Sequence, residues 1–185
     1  LCQDVQAEAF DWPEAFFEKR IWHTRRMRAD EGELSRAIEL VKAASNPVIV
    51  AGGGVHYAGA CDALQAFAAK HGIPVAESQA GKSALPWDDA WNFGPIGVTG
   101  ASSANAVCET ADVVIGVGTR FQDFTTGSWA LFRNPDRRLI SINVNAYDAM
   151  KHGAVRLTPT ARREGLLLGL LGPVLGTALR TTVDT

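Results

Sequence analysis

The 185-residue sequence predicts an α/β fold, with one parallel sheet and helices on both of its faces. Residues 48–51 (VIVA) are apolar in succession, which is typical of a strand buried on both faces. Three glycines follow at once, and a helical pattern then runs from near Gly59 to His71. Strand–helix units of this kind recur four to five times with short connections, which favours parallel strands in one Rossmann-like sheet.

The first part of the chain carries clear helix and strand boundaries. Asp30 is a favoured N-cap, and Glu33 three residues later completes a capping box. The apolar residues of this helix recur on one face, namely Leu34, Ala37, Ile38 and Val41. Pro47 ends the helix region, and Gly72 is expected to end the next helix before a strand at 73–77.

The second part begins with a break in the alternation. Residues 78–101 are rich in glycine and proline and predict a long loop at the sheet edge, and loops of this length are usually functional. Ser102 or Ser103 is expected to cap the following helix. Further strands are predicted at 112–118, 138–144 and 154–157, with a short helix at 146–150.

Composition excludes several classes of function. A formal net charge of −2 gives no reason to expect a nucleic acid or an anionic membrane as partner. The longest apolar run, 165–176, is shorter than the roughly 20 residues of a membrane span. The three cysteines are odd in number and far apart, which favours reduced thiols and a cytoplasmic location. The four histidines fall on different elements, so neither a metal cluster nor a nucleophile–base pair is expected.

A ligand site is expected at the carboxyl ends of two strands. The triplet Gly52, Gly53, Gly54 does not complete the dinucleotide motif, because Tyr57 stands at its sixth position; a phosphate-binding turn and a merely tight turn both stay open. Glu77 lies where a ribose-binding acid would be. Arg120 follows the strand at 112–118 and could hold a phosphate, or could pair with Asp123 or Glu77.

Three runs of sequence resemble the central domain of thiamine diphosphate-dependent enzymes. They are residues 46–54 (NPVIVAGGG), 71–75 (HGIPV) and 112–121 (DVVIGVGTRF), and the resemblance covers roughly residues 30–158. It implies a Rossmann-like domain of the NAD/FAD-binding type. It also implies thiamine diphosphate and Mg²⁺ in the whole enzyme, bound by flanking pyrimidine- and pyrophosphate-binding domains, and assembly into a homo-oligomer.

Further runs resemble one branch of this family, the C–C hydrolases of myo-inositol catabolism. They are residues 4–13 (DVQAEAFDWP), 79–83 (QAGKS), 94–100 (GPIGVTG) and 143–153 (NVNAYDAMKHG). This branch is expected to open a cyclic diketone to 5-deoxyglucuronate. The alternative is an acetohydroxyacid synthase-like enzyme whose central domain holds FAD or ADP. In either case the resemblance assigns no catalytic residue and no metal ligand to these residues, so the fragment alone is expected to be non-catalytic.

Matching to acetohydroxyacid synthase implies a set of cofactor contacts. They would fall on Gly52, Gly53, Gly54, Gly97, Thr99, Gly100, Arg120 and Phe121. One departure is that Asn143 and Asn145 stand where the synthase has an acidic pair.

The resemblance also divides the chain. Residues 1–29 are expected to be a linker from a pyrimidine-binding domain, 30–164 the central domain, and 165–185 an atypical tail. The leucine and glycine repetition of that tail fits either a divergent helix or the product of a shifted reading frame.

Overall fold

The computed structural model describes residues 2–21 and 29–151, together with the backbone of 166–168. The strands are β1 (Pro47–Ala51), β2 (Val75–Glu77), β3 (Asn92–Pro95), β4 (Val113–Val117), β5 (Arg138–Ile142) and β6 (Leu166–Leu168). The helices are α1 (Gln3–Ala7), α2 (Glu31–Ala43), α3 (Gly53–Ala58), α4 (Cys61–His71), α5 (Ser102–Thr110), α6 (Asp123–Thr126) and α7 (Ala146–Met150). Short 3-10 turns lie at Glu14–Phe16 and Gln79–Gly81.

The six strands form one sheet in the order β3-β2-β1-β4-β5-β6, and all five neighbouring pairs are parallel. The predicted α/β, Rossmann-like class is therefore confirmed. The chain winds outward in one direction from β1 and in the other from β4, so the strand order reverses between these two strands. In doubly wound sheets, such a reversal opens a crevice at the carboxyl ends of the strands.

Helices cover both faces of the sheet. On one face Ile49, Ile115 and Ile140 pack with residues of α2, α3 and α4. On the other face Val50 and Val114 pack with α5 and with the aromatic residues that follow β4. Burying one such Val or Ile side chain contributes about 1.5–3 kcal/mol. The residues of β1 are apolar in succession because both faces of this strand are buried under helices.

The start of α2 agrees with its predicted cap. Asp30 is extended, and its Oδ1 accepts a hydrogen bond of 3.0 Å from the amide of Glu33. Within the helix Ala37 is buried, while Leu34 and Val41 are half-buried against the core. Gly72 also ends α4 in the left-handed conformation (φ 66°), as its position predicts.

The helix predicted from near Gly59 to His71 is confirmed as α4, but the short helix α3 before it was not predicted. The chain turns helical directly at Gly53, Gly59 ends α3 in the left-handed conformation (φ 63°), and α4 starts afresh at Cys61. The glycine triplet masked this first turn, because glycine has a low intrinsic helix propensity.

The segment 78–101 is more regular than predicted. It contains the edge strand β3, which pairs with β2 through a register shift. Its glycine and proline argue against a central strand but are tolerated at a sheet edge. The expected serine cap of α5 is wrong: the N-cap is Ala101, Ser102 is helical, and the Ser103 hydroxyl donates to the Phe93 carbonyl at 2.8 Å.

Two expectations concern the end of the chain. The predicted strand at 154–157 lies outside the described residues. Within the predicted atypical tail, the backbone of β6 pairs in parallel with β5. Across the part of the chain that the structure describes, the helices are too short or too polar to traverse a lipid bilayer.

Candidate functional site

A cavity of about 620 Å³ opens at the carboxyl ends of β1, β4 and β5. Its walls include residues 52–54 after β1, 118–120 after β4 and 143–145 after β5. It therefore lies at the reversal of strand order, where ligands bind in doubly wound sheets. Its volume is within the range of about 300–1,000 Å³ that is usual for small-molecule sites.

The glycines of the cavity let two loops meet backbone to backbone. A Cβ on Gly52 would lie 2.7 Å from the carbonyl carbon of Gly118. Gly118 is itself left-handed (φ 60°), and a Cβ there would meet the backbone of Gly54. The amide of Gly54 donates to the Gly118 carbonyl at 3.1 Å. Close packing thus accounts for Gly52 and Gly118 without reference to a ligand.

The charged side chains among the described residues that line the cavity are Arg120 and Asp148. Asp148 forms an ion pair of 2.7 Å with Lys151, one helical turn further on. Asp148 is thereby paired with a cation of its own helix. Arg120 is an exposed residue and contributes a guanidinium to the lining. A guanidinium suits the recognition of phosphate and carboxylate groups.

The end of β5 is held by asparagine amides. The buried Asn143 donates through Nδ2 to the Thr119 carbonyl (3.0 Å) and accepts through Oδ1 from the Asn145 amide (2.9 Å). Asn145 Oδ1 in turn accepts from the amides of Tyr147 and Asp148 and caps α7. Both side chains stabilise the loop, and neither supplies a carboxylate to the cavity.

Glu77 does not line the cavity, so its expected place beside a ribose is wrong. Its side chain is buried, and its two carboxylate oxygens accept hydrogen bonds from the amides of Ser83 (3.2 Å) and Leu85 (3.1 Å). Ser83 has a positive φ of 68°, which is uncommon for a residue with a side chain. Glu77 therefore fixes the loop after β2 in its strained conformation.

Four of the eight predicted contact residues meet at the cavity, namely Gly52, Gly53, Gly54 and Arg120. Phe121 does not line it. The Phe121 ring is buried in the core, where it covers Gly116 of β4 and leaves no room for a Cβ at that position. Phe121 has a positive φ of 48°, which turns its side chain inward directly after the exposed Arg120.

Gly97, Thr99 and Gly100 also lie outside the lining of the cavity. The Gly97 amide donates to Asn105 Oδ1 at 3.0 Å, and the amide of Val98 donates to the Phe124 carbonyl at 2.9 Å. Since Phe124 belongs to the cavity wall, this loop supports that wall from behind.

Sequence reasoning missed two aromatic residues at the cavity. Tyr57 of α3 and Phe124 of α6 line it, and their side chains are among the most exposed apolar groups of the described residues. Each lies in a short helix, Tyr57 three residues after Gly54 and Phe124 four residues after Arg120. An aromatic residue this close in the sequence to predicted contact residues was the signal that could have identified both positions.

A histidine–cysteine contact that the sequence did not indicate lies outside the lining of the cavity. His56 Nδ1 lies 3.5 Å from Cys61 Sγ, and His56 Nε2 lies 3.0 Å from the Lys82 carbonyl. Burial, and next the charge of Asp62, raise the pKa of the Cys61 thiol. The thiol thus stays protonated at neutral pH, and the contact ties α3 to α4 and to the loop after β2.

The model of the thiamine pyrophosphate enzyme central domain matches residues 34–163. The chain belongs to this family. The resemblance deduced from the sequence is thereby confirmed, and the cavity lies within the matched region of the thiamine pyrophosphate enzyme domain.

Several bacterial proteins that share one name are similar in sequence to this chain. The chain is 45% identical over 162 residues to the 3D-(3,5/4)-trihydroxycyclohexane-1,2-dione hydrolase of Clostridium tetani. The aligned region covers 88% of this chain and 25% of that protein. It is 48% identical over 151 residues to the hydrolase of the same name from Clostridium botulinum Eklund 17B (82% and 24%). Identity to that of Bacillus thuringiensis Al Hakam is 44% over 168 residues (91% and 26%). The chain spans about a quarter of the length of these relatives, and their names do not favour the synthase alternative.

The family implies thiamine pyrophosphate (thiamine diphosphate) and typically a divalent metal, and the described residues do not fit that metal. Residues 2–21 and 29–151 contain no group of three or more His, Cys, Asp or Glu side chains that could hold an ion. At the cavity itself, Asp148 is already paired with Lys151.

Proposed function

We propose that this chain is the central domain of a thiamine diphosphate-dependent hydrolase that opens the ring of 3D-trihydroxycyclohexane-1,2-dione. The reaction cleaves one C–C bond with water and yields 5-deoxyglucuronate. The observation that carries the proposal is the identity of 44–48% to hydrolases of this name over more than four-fifths of the chain. The match covers about a quarter of those proteins, and in this proposal the catalytic groups belong to other parts of the polypeptide.

In this proposal the domain is a scaffold between catalytic neighbours. Residues 1–29 form the linker from a pyrimidine-binding domain, 30–164 the central domain, and 165–185 a tail of unusual composition. Thiamine diphosphate and Mg²⁺ are bound by the flanking pyrimidine- and pyrophosphate-binding domains, and the enzyme assembles as a homo-oligomer.

The full-length polypeptide that contains this chain provides the test. Incubated with the cyclic diketone, thiamine diphosphate and Mg²⁺, it is expected to release 5-deoxyglucuronate, and omission of thiamine diphosphate should abolish the product. The 185-residue chain alone is expected to release none. Turnover by the chain alone, or condensation of pyruvate by the full polypeptide in place of ring opening, would contradict the proposal.

For the cavity we propose a nucleotide such as ADP or FAD, with its phosphates beside Gly52, Gly53, Gly54 and Arg120. The volume of about 620 Å³ and the exposed guanidinium support this role. The aromatic faces of Tyr57 and Phe124 at the same cavity could stack on a base or a flavin ring. The end of β5 offers no carboxylate for a ribose, because positions 143 and 145 are occupied by Asn143 and Asn145. The side chains of both asparagines are engaged with the backbone.

Calorimetric titration with ADP and with FAD tests this site. Arg120→Ala should weaken binding about 10- to 100-fold, the effect of losing a charge-assisted hydrogen bond. Arg133→Ala is a matched control, because Arg133 pairs with Glu109 on the surface at 2.9 Å. Equal affinities of the two variants, or no binding by the wild type, would overturn the assignment.

A further inference from the structure

The segment before the central domain exposes a cluster of aromatic rings. Phe10, Trp12, Phe16 and Phe17 have 55% to 70% of their surface exposed. Soluble proteins rarely expose contiguous apolar patches of this kind without an interaction partner. The cluster therefore identifies a candidate interaction surface outside the cavity.

The rings are already arranged against one another. Trp12 and Phe16 stack with their centroids 4.8 Å apart, Phe10 lies 5.9 Å from Trp12, and Phe17 meets Phe16 edge-on at 5.4 Å. The 3-10 turn Glu14–Phe16 sets this spacing. A surface that is ordered in advance loses less conformational entropy on binding.

The area of the cluster suits a contact between domains. An aromatic side chain buries about 150–250 Å² when it is fully covered. Four rings, already partly covered by one another, can thus supply several hundred Å², which approaches the low end of contacts between domains of one chain, about 600–1,500 Å².

The charge of the segment specifies the chemistry of its partner. Residues 8–18 carry four carboxylates and no Lys, Arg or His, and Lys19 and Arg20 follow directly; the carboxylates are Glu8, Asp11, Glu14 and Glu18. Charge complementarity then calls for an apolar groove rimmed by lysine or arginine.

We propose that this acidic aromatic segment, residues 8–18, docks into a basic-rimmed apolar groove on a neighbouring domain of the same polypeptide. The inference rests on the proposed place of the chain within a longer enzyme. Three-quarters of the length of the relatives lies outside the match, which leaves ample chain to provide the groove. In a chain of 185 residues, the 168-residue match to the Bacillus hydrolase must begin at or before residue 18. The similarity to the hydrolases thus includes at least Glu18, the last residue of the segment.

Hydroxyl-radical footprinting of the full-length polypeptide tests the docking. Trp87 is an internal control, since 90% of its surface is exposed on the loop after β2. Trp12 is expected to be oxidised about tenfold more slowly than Trp87, at every protein concentration. Oxidation of both tryptophans at similar rates would overturn the proposal. Protection of Trp12 that disappears on dilution would also overturn it, in favour of a second copy of the chain as the occupant.

A pair of variants adds a second readout. Trp12→Ser should raise the rate of tryptic cleavage after Lys19 and Arg20 about tenfold, because proteolysis follows the population of the undocked segment. Trp87→Ser should leave that rate unchanged, and equal rates for the two variants would contradict the docking. Ring opening is assayed on the same wild-type sample. Its absence alongside a protected Trp12 would count against the proposed function and not against the docked segment.

Discussion

Gly52 packs directly against the backbone of Gly118 and thereby joins the loop after β1 to the loop after β4. The Gly52 amide donates to the carbonyl of the preceding residue, Val117, at 2.8 Å. A Cβ on Gly52 would approach the Gly118 carbonyl far inside van der Waals contact. The close contact of these two loops at the reversal of strand order therefore requires glycine at both positions.

Gly52→Ala is expected to lower the free energy of unfolding by at least about 3 kcal/mol, since backbone must move to admit the methyl group. Gly59→Ala is the matched control. Gly59 is left-handed (φ 63°) but has open space around it, so only the conformational cost of about 1–2 kcal/mol applies. Urea denaturation measures both. Equal losses would show that packing against Gly118 does not limit this position.

Glu77→Ala should release the loop after β2. It removes the acceptors of two amides, those of Ser83 and the buried Leu85, and an unsatisfied buried donor costs about 1–3 kcal/mol. Hydrogen exchange at both amides should accelerate by one to two orders of magnitude. Asp88→Ala, which changes an exposed carboxylate of the same loop, should leave their exchange unchanged. Unaltered exchange in Glu77→Ala would contradict the role of this carboxylate.

Asn143→Leu should destabilise the cavity wall. The substitution keeps the approximate volume but leaves the Thr119 carbonyl and the Asn145 amide without their partner. A loss of about 2–4 kcal/mol in the free energy of unfolding is expected. Asn134→Leu is the control, because its Oδ1 accepts from the Asp136 amide in an exposed turn. Comparable stability of the two variants would count against the bridging role of Asn143.

The three thiols should react with iodoacetamide in a fixed order. Cys2 is exposed and should react first, and Cys61 should follow slowly because burial raises its pKa. Cys108 is buried in the core of the α5 face and should react only after unfolding. Mass spectrometry of the native chain at pH 8 measures this order. Early labelling of Cys108 would contradict the packing of α5 on the sheet.

Cys108 also predicts an alkaline loss of stability. Burial raises the pKa of its thiol from 9.0 to about 12. Between these values the unfolded chain releases the proton and the folded chain retains it, so the stability contributed by this group falls as the pH rises. Cys108→Ala should remove this component from the dependence of unfolding free energy on pH. An unchanged alkaline slope in that variant would contradict it.

The sequence predicted the elements whose pattern is periodic or capped. β1 and β4 have uninterrupted apolar runs because both of their faces are buried, and Asp30 marked the start of α2. The edge strand β3 was not predicted because its Gly94 and Pro95 indicate a loop, although an edge strand tolerates both residue types. The first helical turn after β1 escaped because it begins with glycine.

The candidate site was predictable only in part. Gly52 and Arg120 each follow a buried strand, so the rule for carboxyl ends of strands located both. The role of Glu77 depends on hydrogen bonds to residues six and eight positions ahead, in a loop of irregular shape. The inward turn of Phe121 depends on a positive φ that no local pattern indicates.

A graft into the Clostridium tetani hydrolase tests the central claim most directly. Its own central segment would be replaced by residues 34–163 of this chain, the region that matches the family model. The graft is expected to fold and to open the ring of the cyclic diketone in the presence of thiamine diphosphate. A folded graft that binds thiamine diphosphate yet forms no 5-deoxyglucuronate would contradict the assignment of this chain to the hydrolase.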